Sequence, residues 1–191
     1  LLFDDLLATL PRCIAIYPDL TTSWFWQGKM WHTEGMKTGL EIFLGNPPAA
    51  LASKRVALVA NPTTVDRNFV HGIDLLHHHP GINLTKLYGP EHGIRATAQD
   101  QIGVTSATDP ITGLPEISLY GKTFESLSPS QESLEDVDVL VFDIQDIGSR
   151  YYTYQATMAL CMKQAAIAKV EVIVLDRPNP ISGRVEGGGI L

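Results

Sequence analysis

The sequence predicts an α/β fold: an open parallel sheet with helices on both faces. Three observations carry this. Four short runs are wholly or almost wholly apolar and rich in β-branched residues, as strands buried on both faces are. Helical patterns separate these runs, and strand–helix alternation is the signature of parallel crossover connections. Each apolar run also breaks abruptly into a polar cluster, so the chemistry-bearing residues gather at one end of every strand.

Taken in order, residues 1–34 read differently from the rest and form a segment of their own. All three tryptophans (Trp24, Trp26, Trp31) fall here, in SWFWQGKMW. They suit a sugar-stacking platform or a local apolar cluster in a leader. The second reading is preferred, because neither a strand nor a helix frames them. From residue 35 the pattern becomes regular. TGLEIFL is a short amphipathic helix, and KRVALVAN holds the first strand at Val56–Ala60. FVHGIDLLHHHP is helical and stops before Pro80, since the residue before proline disfavours the α region. His77, His78 and His79 then read as a solvated or C-capping patch rather than a metal site. INLTKLY is the second strand. Residues 96–121, rich in Gly, Pro, Thr and Asp, read as an excursion with a short hairpin.

SPSQESLEDV opens a helix, with Ser128-Pro129 at its start and Glu132 just inside. DVLVFDI is the third strand. Residues 150–169 form a helix whose buried stripe holds Tyr151, Tyr154, Met158, Cys161 or Met162, and Ala165, at spacings of three and four. VEVIVLD is the fourth strand.

Composition narrows the function. The 191 residues suffice for one domain with a real core. Hydrophobic residues make up 45% and charged residues 18%, with a net charge of -7. No Lys/Arg cluster supplies the basic face that nucleic acid requires. No apolar run approaches the ~20 residues of a membrane span. LLFDDLLATL carries Asp4 and Asp5 without a basic start, which makes a poor signal peptide. Cys13 and Cys161 form no zinc-type spacing, and Cys161 fits a buried, inert thiol. GxGxxG, P-loop and GxSxG patterns are all missing, so no nucleotide cofactor or serine nucleophile is signalled. What remains is acid/base chemistry by carboxylates.

The four strand ends supply them. The first ends in Asn61-Pro62-Thr63, the second in Gly89-Pro90-Glu91-His92-Gly93. The third runs into Asp143, Gln145, Asp146 and Arg150, and the fourth ends in Asp176-Arg177-Pro178-Asn179-Pro180. In an open parallel sheet all carboxyl ends share one edge, where ligands bind. Glu91, Asp143, Asp146 and Asp176 are therefore expected to converge, with Arg150 and Arg177 near them. So many acids need compensation by the arginines, a metal ion or a shared proton. Plainer roles are open to each: an Asp after a strand caps a helix or fixes a turn, Asp176 and Arg177 can pair, and His92 can fill its turn. Glu91 is hardest to explain in this way, set between restrictive Pro90 and permissive Gly93.

The stretches LYGPEHGIR, TGLPEISLYG, VDVLVFDIQDIGSRYYTY and VLDRPNPISGRVEGG closely resemble the exo-β-N-acetylmuramidase family of the NamZ type, formerly a domain of unknown function. The resemblance covers residues 35–191 in order. It implies a Rossmann-like catalytic domain, a smaller second domain that lies outside this stretch, and a site in the cleft between them. It implies removal of terminal N-acetylmuramic acid from the non-reducing ends of peptidoglycan fragments, with no cofactor, in a secreted or periplasmic setting. By position, the motif acid is Glu91 with His92 beside it. The DIQD acids are Asp143 and Asp146, followed by Arg150, and DRPNP supplies Asp176, Arg177 and Asn179. Glu186 matches the glutamate of the last motif. Ala96, Ser182 and Gly188 depart from the family pattern.

Glycoside hydrolysis needs a carboxylic acid for the leaving oxygen and a second group on the other face of the sugar. Glu91 is expected to be the acid, kept protonated by repulsion from neighbouring Asp residues. Asp143, Asp146 or the substrate's own acetamido group is the second group. Arg150 or Arg177 suits the lactyl carboxylate of muramic acid. Tyr151 and Tyr152 suit a stacking face, and Asn61 a polar contact. Two other readings fit the same acids: a metal-dependent hydrolase, and a non-catalytic muropeptide-binding domain.

Overall fold

The computed structural model describes residues 13–16, 37–95, 107–121, 123–149 and 151–180. Among these residues, seven strands form one sheet in the order β1-β7-β6-β2-β3-β5-β4. They are β1 (Cys13–Ile16), β2 (Val56–Ala60), β3 (Leu84–Gly89), β4 (Ala107–Thr108), β5 (Pro115–Ser118), β6 (Val139–Asp143) and β7 (Glu171–Leu175). Every neighbouring pair is parallel except β4 with β5. The helices are α1 (Gly39–Gly45), α2 (Gly72–His77), α3 (Gln131–Leu134) and α4 (Tyr154–Ala168). The expected α/β architecture is therefore the observed one.

β2 is the central strand, flanked by β6 and β3, and all five of its side chains are buried. Alternation sends Val56, Leu58 and Ala60 to one face, and Ala57 and Val59 to the other. On the first face they meet Leu40 and Phe43 of α1 and Ile73 and Leu76 of α2. On the second they meet Leu134 of α3 and Cys161, Met162 and Ala165 of α4. Two covered faces remove the period-2 polarity signal, so the strand reads as a solid apolar run. Each large core side chain contributes about 1.5–3 kcal/mol by leaving water.

Helix starts are set by side-chain caps. Thr38 and Glu41 form a reciprocal capping box on α1: the Glu41 N–H donates to Thr38 Oγ1 (3.3 Å), and the Thr38 N–H donates to Glu41 Oε2 (2.8 Å). Ser130 Oγ accepts from Ser133 N–H (3.1 Å), so α3 begins two residues beyond the Ser128-Pro129 start that the sequence suggests. α2 ends before Pro80 as expected. His78 Nδ1 lies 2.7 Å from the Asp74 carbonyl and His79 Nε2 lies 3.1 Å from the Leu44 carbonyl. The histidine patch thus satisfies carbonyls at a helix end.

Two expectations are corrected. No strand is expected before residue 35, yet β1 pairs in parallel with β7, Ile14 in register with Ile173. Four residues are too few for periodicity to register, and β1 is tied by backbone bonds. The sequence predicts α4 from residue 150, and the helix starts at Tyr154. Tyr151 therefore leaves the buried stripe and is 92% exposed. A turn donates Tyr152 N–H to Ser149 O (3.1 Å) and carries the chain to the helix. The hairpin expected within residues 96–121 is present as β4–β5. Trp24, Trp26, Trp31, Ala96, Arg150, Ser182, Glu186 and Gly188 lie outside the described residues. No helix among the described residues is long and apolar enough to cross a membrane.

Candidate active site

The carboxyl ends of β7, β6, β2 and β3 lie side by side along one edge. They bring Asp176, Asp143, Asn61 and the Glu91 turn there in that spatial order. Neighbouring strands are about 4.8 Å apart, so the β3 and β6 ends are separated by roughly 10 Å across β2.

The Glu91 turn is tightly built. Gly93 N–H donates to Pro90 O (3.0 Å), closing a β-turn with Glu91 and His92 at its centre. His92 and Gly93 both take positive φ, 73° and 75°. Positive φ at the third turn position is the requirement of a type II turn. The permissive backbone expected at Gly93 thus extends to His92, a non-glycine residue in a sparsely populated region. Glu91 is half-buried and His92 exposed. No hydrogen bond or ion pair engages the Glu91 carboxylate among the described residues.

Four neighbours that the sequence reading did not single out hold this turn. Ile94 is buried behind it. His71 Nδ1 accepts from Ile73 N–H (3.2 Å), capping α2, and its Nε2 lies 3.2 Å from Ile94 O. That pattern assigns the Nε2–H tautomer. Burial, then the charge of Arg95, lowers the His71 pKa. Glu116 of β5 accepts from Ile94 N–H, and burial pushes its carboxyl up against that bond. Arg95 bridges Asp109 (2.6 Å) and Asp74 (2.6 Å). Only a helix-preceding histidine and a strand glutamate mark this support in the sequence, and neither is distinctive.

At the β6 end, Asp143 is fully buried and receives two parallel bonds from Arg177 (2.5 and 2.9 Å). Arg177 Nη1 donates to Val65 O (3.0 Å). Burial pushes the Asp143 carboxyl up, and Arg177 opposes it. Arg177 therefore pairs with Asp143 rather than with adjacent Asp176. At Asp143 the compensation by arginine is present. Asn61 is 2% exposed, and its Oδ1 accepts from Thr63 N–H (2.9 Å) and Thr63 Oγ1 (2.5 Å). Thr64 Oγ1 donates to Asp143 O, and Gln145 N–H donates to Thr63 Oγ1 (2.9 Å). These bonds knit the β2 and β6 ends together.

Asp146 and Asp176 line a cavity of about 260 Å³ beside α4, with Phe142, Ile144 and Met158 as its apolar wall. Asp146 Oδ2 accepts from Gln155 Nε2 (2.9 Å), while its buried Oδ1 has no hydrogen-bond partner among the described residues. A buried acceptor left so costs about 1–3 kcal/mol and suits a ligand hydroxyl or amide. Burial pushes the Asp176 carboxyl up, opposed by Arg177 N–H at 2.9 Å. Alternation along β6 and β7 puts Asp143 and Asp176 on opposite faces of the sheet. Asn179 is exposed, and its amide lies 2.4 Å from where a Cβ on Gly148 would stand. Tyr151 and Tyr152 (48% exposed) stand on the loop before α4. The four acids do not converge as expected but occupy three places: Glu91 on its turn, Asp146 with Asp176 in the cavity, and Asp143 buried against Arg177. The Asp143–Arg177 pair lies at the β6 end, away from solvent. No three His, Cys, Asp or Glu side chains are gathered as for a metal ion among the described residues.

Solved structures share this fold. A DUF1343 family protein of Bacteroides fragilis superposes with a TM-score of 0.69 at 50% identity, covering 77% of this chain and 36% of that one. A second from the same organism gives 0.60 at 33% identity, covering 75% and 35%. The peptidoglycan β-N-acetylmuramidase NamZ of Bacillus subtilis is 44% identical over 156 residues, which are 82% of this chain and 37% of that protein. The chain spans a little over a third of the length of these relatives. The family model described as "Exo-beta-N-acetylmuramidase NamZ, N-terminal" matches residues 56–191, and the chain belongs to that family.

Proposed function

We propose that this domain carries the catalytic acid of an exo-β-N-acetylmuramidase, a peptidoglycan glycoside hydrolase that releases terminal N-acetylmuramic acid. One observation carries the reading. Glu91 presents a carboxylate engaged by no other described group, on a turn braced from three sides, at the ligand-binding edge of a parallel sheet. A structural carboxylate in such a place would be paired. A general acid must instead be free to meet the leaving oxygen. The likeness to the Bacillus subtilis enzyme supports the substrate class.

In this reading Glu91 protonates the glycosidic oxygen. His92 holds the turn geometry that aims it. Asp146, which lines the cavity and keeps one carboxylate oxygen unpartnered among the described residues, takes the second role, either directly or by orienting the substrate's acetamido group. Asp143 acts on position: its ion pair with Arg177 fixes the β6 and β7 ends. All three Arg177 nitrogens are engaged, so the lactyl carboxylate falls to Arg150. Asp176, Asn179, Tyr151, Asn61 and Glu186 complete the substrate-binding set.

The test is kinetic. Glu91→Gln in the full-length protein should lower release of muramic acid from a muramyl disaccharide by roughly 10²–10⁴-fold, with an unchanged circular dichroism spectrum. Turnover near wild type would refute the assignment.

A further inference from the structure

The hairpin between β2 and α2 is built around an unusual tip. Phe69 is 86% exposed and has φ 60°. Left-handed backbone is rare for a bulky residue, and such strain persists only where the surroundings impose it. Here they do. Asp66 N–H donates to Val70 O (3.0 Å), and Phe69 N–H donates to Asp66 O (3.0 Å). Asp66 Oδ1 also accepts from Asn68 N–H (2.9 Å) and Val70 N–H (2.8 Å). The strained backbone supports a ring that buries almost nothing. Glycine would hold the same turn without strain, so the fold alone gives no reason for phenylalanine.

The hairpin's position gives one. Its base is the Val65–His71 bridge. Val65 O accepts from Arg177, the partner of Asp143. His71 reaches Ile94 O behind the Glu91 turn. The tip therefore rises from the sheet edge between the Asp143–Arg177 pair and the Glu91 turn. An exo-acting site encloses the terminal sugar and lets the rest of the glycan leave toward solvent. An exposed aromatic at the rim meets that outgoing part, whose sugar rings present apolar C–H faces to an aromatic plane.

We propose that Phe69 is a stacking residue for the sugar on the leaving-group side of the scissile bond. This rests on the muramidase reading of the site. The test compares two substrates in the full-length protein: the methyl glycoside of N-acetylmuramic acid, whose leaving group is too small to stack, and a muramyl disaccharide. Phe69→Gly should raise KM for the disaccharide on the order of tenfold, leave the methyl glycoside within about twofold, and leave Tm unchanged or higher. Phe69→Tyr should restore disaccharide KM. Equal effects on both substrates, or no effect on the disaccharide, overturn the proposal. So does a lower Tm in Phe69→Gly, which would mean that the ring packs against another part of the protein. A wild-type protein that cleaves neither glycoside overturns the muramidase reading itself, and this proposal with it.

Discussion

His71 uses both ring nitrogens: one caps α2 and the other holds the residue behind the Glu91 turn. Only the neutral ring can do both, because protonation would turn Nδ1 from acceptor to donor. Its folded pKa lies below the ordinary value of 6.5, through burial and the nearby charge of Arg95. The unfolded chain therefore takes up the proton first as pH falls. The stabilisation is complete above about pH 6.5 and is lost progressively below it. Urea midpoints measured from pH 8 to pH 5 should fall through this window. In His71→Asn, where Asn is itself a good cap, the fall should be shallower. Parallel curves for the two proteins would contradict the assignment.

At the scale of elements, α1 shows packing overruling propensity. Gly39 opens the helix, where Ala would ordinarily gain up to about 1 kcal/mol. Yet a Cβ on Gly39 would stand 2.6 Å from Asp176 N and 2.7 Å from Ile16 O and Leu175 C. These are backbone atoms of the β1 and β7 ends, which cannot rotate aside, and Gly39 N–H itself donates to Asp176 O (2.8 Å). Gly39→Ala should therefore lose roughly 1–3 kcal/mol in thermal unfolding, and a rise in Tm would disprove the close approach. The same contrast explains what could be read from sequence. β2, β6 and β7 are legible because burial on both faces leaves a nearly solid apolar run, and β3 despite its Thr85-Lys86 interruption. β1 is not, since CIAI is short and its pairing is carried by backbone. The start of α4 was misplaced because Tyr151 and Tyr154 share helical spacing by coincidence, and a turn at Ser149 intervenes.

Across the whole molecule, the sequence revealed which residues share the sheet edge but not how they pair. Strand order follows from crossovers that no local pattern records, so neither the Arg177–Asp143 pair nor the Asp146–Asp176 cavity could be read in advance. The same holds for the network that ties the periphery together. Arg95 follows the Glu91 turn, Asp74 lies on α2, and Asp109 precedes the β5 strand; their side chains join three distant segments. Asp109 is fully buried. Burial alone would raise its pKa, but Arg95 and two bonds from Thr112 (2.6 and 2.9 Å) prevail and hold it at about 2, against an ordinary 3.8. A depressed folded pKa contributes stability that is present above the unfolded value and lost as pH falls through the folded one. The window is thus about pH 4 to pH 2, and the shift corresponds to about 2 kcal/mol. Asp109→Asn should be destabilised at pH 7, and its deficit against wild type should shrink by about that amount as pH falls from 4 to 2 in urea titrations. A deficit constant across this window would show that the carboxylate's charge does not join these segments.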